Sequence, residues 1–312
     1  MRLGIIDTHC DALLKLWDDP NRDFVASEEI DANVNRLIAG DVRVQVFAIF
    51  VEPYVKQDQK FQVVLEQIDL FYKRVLNSSS AFRHIRKWSD LKDLKENEIG
   101  AVLSLEGVDA IGDDLSKLSI LYQLGVISVG LTWNQANLAA DGVGEPRGAG
   151  LTLLGKDLVR MNNQNQVLTD VSHLSINGFW DVIELAEFPI ASHSNARRLC
   201  EHPRNLYDDQ IQALVEKKGY IGLVFCPTFV TSNEGLSTIQ DVLNHLDYMC
   251  SLGAEQYIGF GSDFDGITEK VVGLNDSGEY QNLVNELLKH YSASQVQRFL
   301  SLNFQQLIQR LT

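Results

Sequence analysis

The chain has 312 residues, with 27 Lys and Arg against 42 Asp and Glu, for a formal net charge of −15 at pH 7. So few cations exclude nucleic acid and anionic membrane surfaces as partners, because both draw on clustered Lys and Arg. Hydrophobic residues at 45% can build a sizeable core, and no run of about 18 apolar residues offers a membrane span.

The N-terminal stretch MRLGIIDTHCD reaches a charge and a histidine within ten residues, unlike the apolar stretch of a secretory leader. Cys10, Cys200, Cys226 and Cys250 are widely spaced and form no CxxC pair. Reduced thiols in a cytoplasmic protein are therefore expected. Short runs rich in Val, Ile and Leu then recur along the chain, at 3–11, 44–51, 100–107, 126–134, 167–175, 189–195, 220–226 and 257–266. Such runs suit parallel strands buried on both faces. Helix-like segments lie between them, at 59–76, 89–97, 114–124, 155–163, 176–186, 206–218 and 237–252, and segment 281–312 reads as closing helices. Eight strands alternating with helices predict a (β/α)8 TIM-type barrel, with residues 1–312 forming a single catalytic domain. No glycine-rich phosphate loop follows the first strand, which argues against a doubly wound nucleotide-binding sheet.

In a barrel of this kind the chemistry sits at the C-terminal ends of the strands. The first predicted strand ends in His9-Cys10-Asp11, the third in Glu106, the fifth in His173, the sixth in His193 and the eighth in Asp263 and Asp265. These are metal-ligand types arriving at one topological position. Side chains alternate along a strand, so His9 and Asp11 share a face and can reach one ion. Three imidazoles with carboxylates suit zinc, or else manganese, cobalt or iron. Five ligands exceed what one open catalytic zinc needs and suit two ions about 3.5–4 Å apart joined by a carboxylate. Glu106 is the central carboxylate available for that role. A water between two such ions would be a hydroxide near neutral pH, and hence a nucleophile.

The motifs IDTHCD (6–11), LSLEG (103–107), LTWN (131–134), DVSHLS (170–175), SHSNARRLCEHPRNLYDDQI (192–211) and GFGSDFDG (259–266) carry a resemblance over nearly the whole chain. In order and spacing they resemble the membrane dipeptidase (renal dipeptidase) family of zinc peptidases, and its bacterial, soluble branch in particular. The resemblance implies two Zn2+ ions, with Mn2+ or Co2+ as substitutes. His9 and Asp11 would bind one, His173 and His193 the other, and Glu106 would bridge them. It implies that Asp263 handles protons during hydrolysis and that Arg204 holds the C-terminal carboxylate of a dipeptide substrate, a pairing guanidinium makes through two parallel hydrogen bonds. It further implies tolerance of a D-residue at the C-terminal position, and a homodimer. One departure stands out. Where animal members have a histidine that binds substrate, this chain has Trp133, followed by Asn134. The indole N–H can donate a hydrogen bond but cannot act as a general acid. Trp133 and Asn134 are expected to contact substrate, with Asn137 as an alternative polar contact.

Other readings remain beside these. Another amide hydrolase on the same barrel, such as an N-acyl-amino-acid deacylase, would need no partner for a free substrate amine. A non-catalytic metal-binding barrel would keep the ligands for stability alone. Asp7 is either an acceptor that orients a ligand or a buried carboxylate paired with a cation. Asp265 reads as structural or as a support behind a ligand, with the glycines around it letting a turn approach the site closely. Cys10 reads as core packing. His84, His202, His245 and His290 read as surface or capping residues. Neither Ser172 nor Ser194 lies in a nucleophile elbow.

Overall fold

The computed structural model describes residues 4–232 and 236–311. The apolar runs form the strands β1 (Ile5–Cys10), β2 (Val42–Phe50), β3 (Phe82–His84), β4 (Ile99–Glu106), β5 (Val126–Gly130), β6 (Leu168–Asp170), β7 (Pro189–Ala191), β8 (Tyr220–Leu223) and β9 (Ile258–Phe260). All pair in parallel. β2 joins β4, pairing continues in order from β4 and β5 through to β9, and β1 joins both β9 and β2. The result is a closed eight-stranded parallel barrel, as the strand count predicts. The short β3 is extra. It pairs with Ile99–Ala101 of β4, below the Leu103–Glu106 stretch that pairs with β5.

Helices occupy the crossovers. They are α1 (Ala12–Asp18), α2 (Val34–Ala39), α3 (Gln57–Leu70), α4 (Leu115–Gln123), α5 (Leu153–Gln164), α6 (Ile176–Leu185), α7 (Asp208–Glu216), α8 (Pro227–Val230), α9 (Ile239–Ser251), α10 (Tyr280–His290), α11 (Ala293–Gln297) and α12 (Asn303–Ile308). Their starts follow local chemistry. Thr152 accepts from Gly155 N ahead of α5, and Ser175 accepts from Gly178 N ahead of α6. Among the described residues no helix is long and apolar enough to cross a membrane.

Ile6, Val44, Val46, Val102, Ile127, Leu168, Ile190 and Tyr220, most of them near strand starts, form an apolar cluster. Phe304, Leu307 and Ile308 of α12 join that cluster, with the Phe304 ring 5.0 Å from Tyr220 and 5.5 Å from Trp88. The closing helix thus stoppers the N-terminal end of the barrel with hydrocarbon, and the polar residues collect at the opposite end.

Apart from β2 and β4, the barrel strands are shorter than the apolar runs suggest. The run at 167–175 leaves the sheet after Asp170, because Asp170 Oδ1 accepts from Ser172 N and turns the chain. The runs at 126–134 and 257–266 leave it after Gly130 and Phe260. The segment at 89–97 forms only a short 3-10 turn, Trp88–Asp93.

Candidate metal centre

His9 leaves the barrel near the end of β1 and is buried. Asp11 lies one residue beyond that strand, at the start of α1, so strict strand alternation does not place it. Its side chain still arrives beside its partner, with Oδ2 3.4 Å from His9 Nε2. Glu106 ends β4. Its Oε2 lies 3.5 Å from His9 Nε2, while Oε1 lies 3.0 Å from His173 Nε2 and 3.9 Å from His193 Nε2. The two oxygens of one carboxylate therefore face two different pairs of residues. Asp263 Oδ1 stands 3.7 Å from His9 Nε2, next to the His9–Asp11 pair.

The histidines are held by their far nitrogens. His173 Nδ1 is 2.8 Å from Asn134 Oδ1, an acceptor, so Nδ1 carries the proton and Nε2 keeps its lone pair. Ser192 Oγ donates to Asp170 Oδ2 and so accepts, at 2.8 Å, from His193 Nδ1, which leaves His193 Nε2 with its lone pair as well. These two Nε2 atoms lie 2.9 Å apart. Two lone pairs that close repel unless they share a cation. His9 Nε2 is buried without a hydrogen-bond partner, facing carboxylate oxygens at 3.4–3.7 Å. Two ligands about 2.1 Å from one tetrahedral ion sit roughly 3.4 Å apart, so these separations suit an ion better than direct hydrogen bonds. The donor set fits metal.

The electrostatics of His173 and His193 agree, whereas for His9 burial opposes charge but Glu106 and Asp11 outweigh it and raise the pKa well above the ordinary value. Burial lowers the pKa of His173 to about 3 and that of His193 well below the ordinary value, favouring the neutral, ligating form of both. Burial opposes charge on Glu106 too, but the His9 and His173 imidazoles outweigh it and hold that carboxyl well below the usual range. Burial pushes Asp263 well above the usual range, and Asp11 and Glu106 add to the effect.

Backbone geometry is unusual here. His173 and Asp263 adopt left-handed conformations, with φ of 67° and 66°. Gly266 closes the turn after Asp263, and a Cβ there would lie 2.3 Å from Asp11 Oδ2. The close approach expected of these glycines is thus realised at this one.

The centre opens into a pocket of about 570 Å3, lined by Leu14, Phe50, Glu52, Trp133, Arg204 and Phe229 among others. Arg204 is 6% exposed; its Nη2 donates to His193 O, and its Nε is buried without a partner.

A model of the membrane dipeptidase family (peptidase family M19) matches residues 1–311. The chain belongs to that family. It is accordingly a metallo-dipeptidase, a hydrolase acting on peptide bonds. Dipeptidase aclJ of Aspergillus oryzae is 30% identical over 283 residues, covering 85% of this chain and 66% of that one. A metallopeptidase from Rhodobacter sphaeroides, solved with a phosphinate mimic of the dipeptide L-Ala-D-Ala, superposes with a TM-score of 0.93 at 25% identity, over 99% of both chains. The dipeptidase AC, a metallopeptidase of family M19, superposes with a TM-score of 0.91 at 27% identity, over 98% of both chains.

Other residues singled out in the sequence resolve as follows. Trp133 lines the pocket, its ring 5.1 Å from Phe50 and 6.0 Å from His173. Asn134 also lines it, but its side-chain oxygen is engaged with His173. Asn137 is turned elsewhere, onto Leu131 O and Asp109. Asp7 has no cation paired with it among the described residues; it accepts from the Ser262 and Tyr280 hydroxyls and from the Ser262 and His9 backbone N–H groups, and so acts as an acceptor on the backbone that carries His9. Asp265 is structural, accepting from Asp31 N and Ala32 N. Cys10 is fully buried in the core. His245 is not a surface residue but a buried brace, between Ala196 N and Val230 O. Asp170 and Ser192, which steady His193, were not anticipated. Both are nonetheless close in sequence to a ligand-type histidine, Asp170 three residues before His173 and Ser192 directly before His193.

Proposed function

We propose that the chain hydrolyses the peptide bond of dipeptides, tolerating a D-residue at the C-terminal position, and that residues 1–312 act as one catalytic unit. His9 and Asp11 would hold one zinc ion and His173 and His193 a second, with Glu106 shared between them. The observation that carries this reading is the split of the Glu106 carboxylate, one oxygen toward His9 and the other toward His173 and His193. When bound, such a pair of ions polarises a carbonyl as a Lewis acid and supplies an activated water near neutral pH.

The side chains do the rest. Arg204 takes the substrate's C-terminal carboxylate. Its buried Nε lacks an acceptor, a state that costs about 1–3 kcal/mol, and a substrate carboxylate relieves it through a forked contact. Asp263 faces the His9–Asp11 pair from outside it and carries the proton from the attacking water to the leaving amine. Asn134 and the Asp170–Ser192 pair fix the tautomers of His173 and His193. Trp133 shapes the wall beside His173. D-residue tolerance draws support from the Rhodobacter sphaeroides relative, whose ligand mimics L-Ala-D-Ala.

The test is a rate comparison of L-Ala-L-Ala, L-Ala-D-Ala and their N-acetylated forms with zinc-loaded protein, together with metal analysis. Two zinc ions per chain and hydrolysis of the free dipeptides, the L,D form included, are expected. Preference for the acetylated forms would indicate a deacylase instead. Metal content without any hydrolysis would indicate a non-catalytic barrel.

A further inference from the structure

Glu52 follows β2, two residues past its end, and lines the pocket. Around the barrel the strands run β1, β2, β4, β5, β6, β7, β8, β9, so β2 and β7 stand opposite each other. Arg204 follows β7 and is tied to His193 O, just beyond that strand. The pocket therefore has a cation on one rim and a carboxylate on the other, with the five ligand residues between. Glu52 is half-buried, and among the described residues its carboxylate has neither a hydrogen bond nor an ion pair. Of the other pocket carboxylates, Asp11 and Glu106 belong to the ligand group and Asp263 stands next to it. The same pocket is lined with hydrocarbon from Phe50, two residues before Glu52, and from Leu14.

We propose that Glu52 is a specificity-determining residue, selecting dipeptides whose N-terminal residue carries a cationic side chain. This rests on the reading above, in which Arg204 holds the C-terminal carboxylate. A dipeptide anchored there and crossing the ligand group directs its N-terminal residue toward β1 and β2. A lysine or arginine stem lies along Phe50 and Leu14, and its charged head meets the unpaired Glu52 carboxylate. The same head turned toward Arg204 would be repelled, so the pocket reads orientation as well as charge.

The experiment compares kcat/KM for arginyl-alanine, lysyl-alanine, norleucyl-alanine and glutamyl-alanine in zinc-loaded wild type, Glu52→Gln and Glu52→Lys. In the wild type the cationic dipeptides are expected to exceed norleucyl-alanine by about five- to tenfold, as suits a half-buried ion pair. Raising the ionic strength should shrink that ratio. In Glu52→Gln the ratio falls toward one, and in Glu52→Lys the preference passes to glutamyl-alanine. A wild-type ratio near one, or a ratio unchanged in Glu52→Gln, overturns the proposal. If the variants do not fold, the salt dependence of the wild-type ratio decides alone: a ratio insensitive to salt is not electrostatic and rejects Glu52. Turnover of norleucyl-alanine without preference sinks the role of Glu52 and leaves the dipeptidase reading standing. Turnover of no dipeptide sinks both.

Discussion

At the centre of the site, two imidazole lone pairs face each other 2.9 Å apart, because Asn134 and Ser192 claim the other nitrogens. Removing one of these supports frees the ring to turn. Asn134→Ala is expected to weaken metal affinity by about 10–100-fold, read as zinc competition against a chromogenic chelator, with Asn134→Asp restoring most of it. Asp263→Asn should behave differently. It keeps shape but loses the proton carrier, so activity should fall by about 10²–10⁴-fold while zinc content holds. The difference between these residues also marks what the sequence made legible. His9, Asp11, Glu106, His173, His193 and Asp263 could be named from residue type and strand-end position, and the structure brings all six together. The partner of His173 could not. Asn134 lies 39 residues away, and only the curvature of the barrel joins them. Asn134 therefore read as a substrate contact.

Among the elements, the strands were the more legible part, because a barrel strand buried on both faces must be apolar throughout and leaves a continuous run. β3 escaped notice because Phe-Arg-His is neither apolar nor alternating over a useful length. Strand ends were overestimated where apolar residues continue into the loops above the barrel, as at Val171 and Leu131, which are buried beyond β6 and β5. How closely the strands pack is visible at two glycines. A Cβ on Gly222 or on Gly261 would lie about 2 Å from Ser192 O, at 2.1 and 1.8 Å respectively. Backbone has little room to yield, so Gly261→Ala should cost about 1–3 kcal/mol, measured as a lowered midpoint of urea unfolding. Since Ser192 Oγ accepts from His193, the same substitution should weaken zinc binding.

For the molecule as a whole, acid sensitivity has a source remote from the metal centre. His84 packs against Phe71 and Tyr72, with ring centroids 5.0 and 5.3 Å away. Burial, reinforced by Arg86, lowers its pKa to about 4. In the unfolded chain it takes up a proton near the ordinary value of about 6.5. Between those values the unfolded state binds more protons, so this contribution to stability is complete above about 6.5 and declines as pH falls toward 4. The loss in melting temperature between pH 7.5 and pH 5 should therefore be smaller in His84→Gln than in the wild type. The left-handed backbone at His173 and Asp263 has a wider consequence. Glycine is comfortable there, whereas other residues carry a cost of about 1–2 kcal/mol. Burial, with Asp11 and Glu106 close by, also disfavours the charged Asp263 carboxylate. Asp263→Gly should thus raise the melting temperature of the metal-free protein by about 2 °C while abolishing turnover. Stability and turnover thus pull in opposite directions at Asp263, so a search for thermal robustness alone would settle on an inert protein.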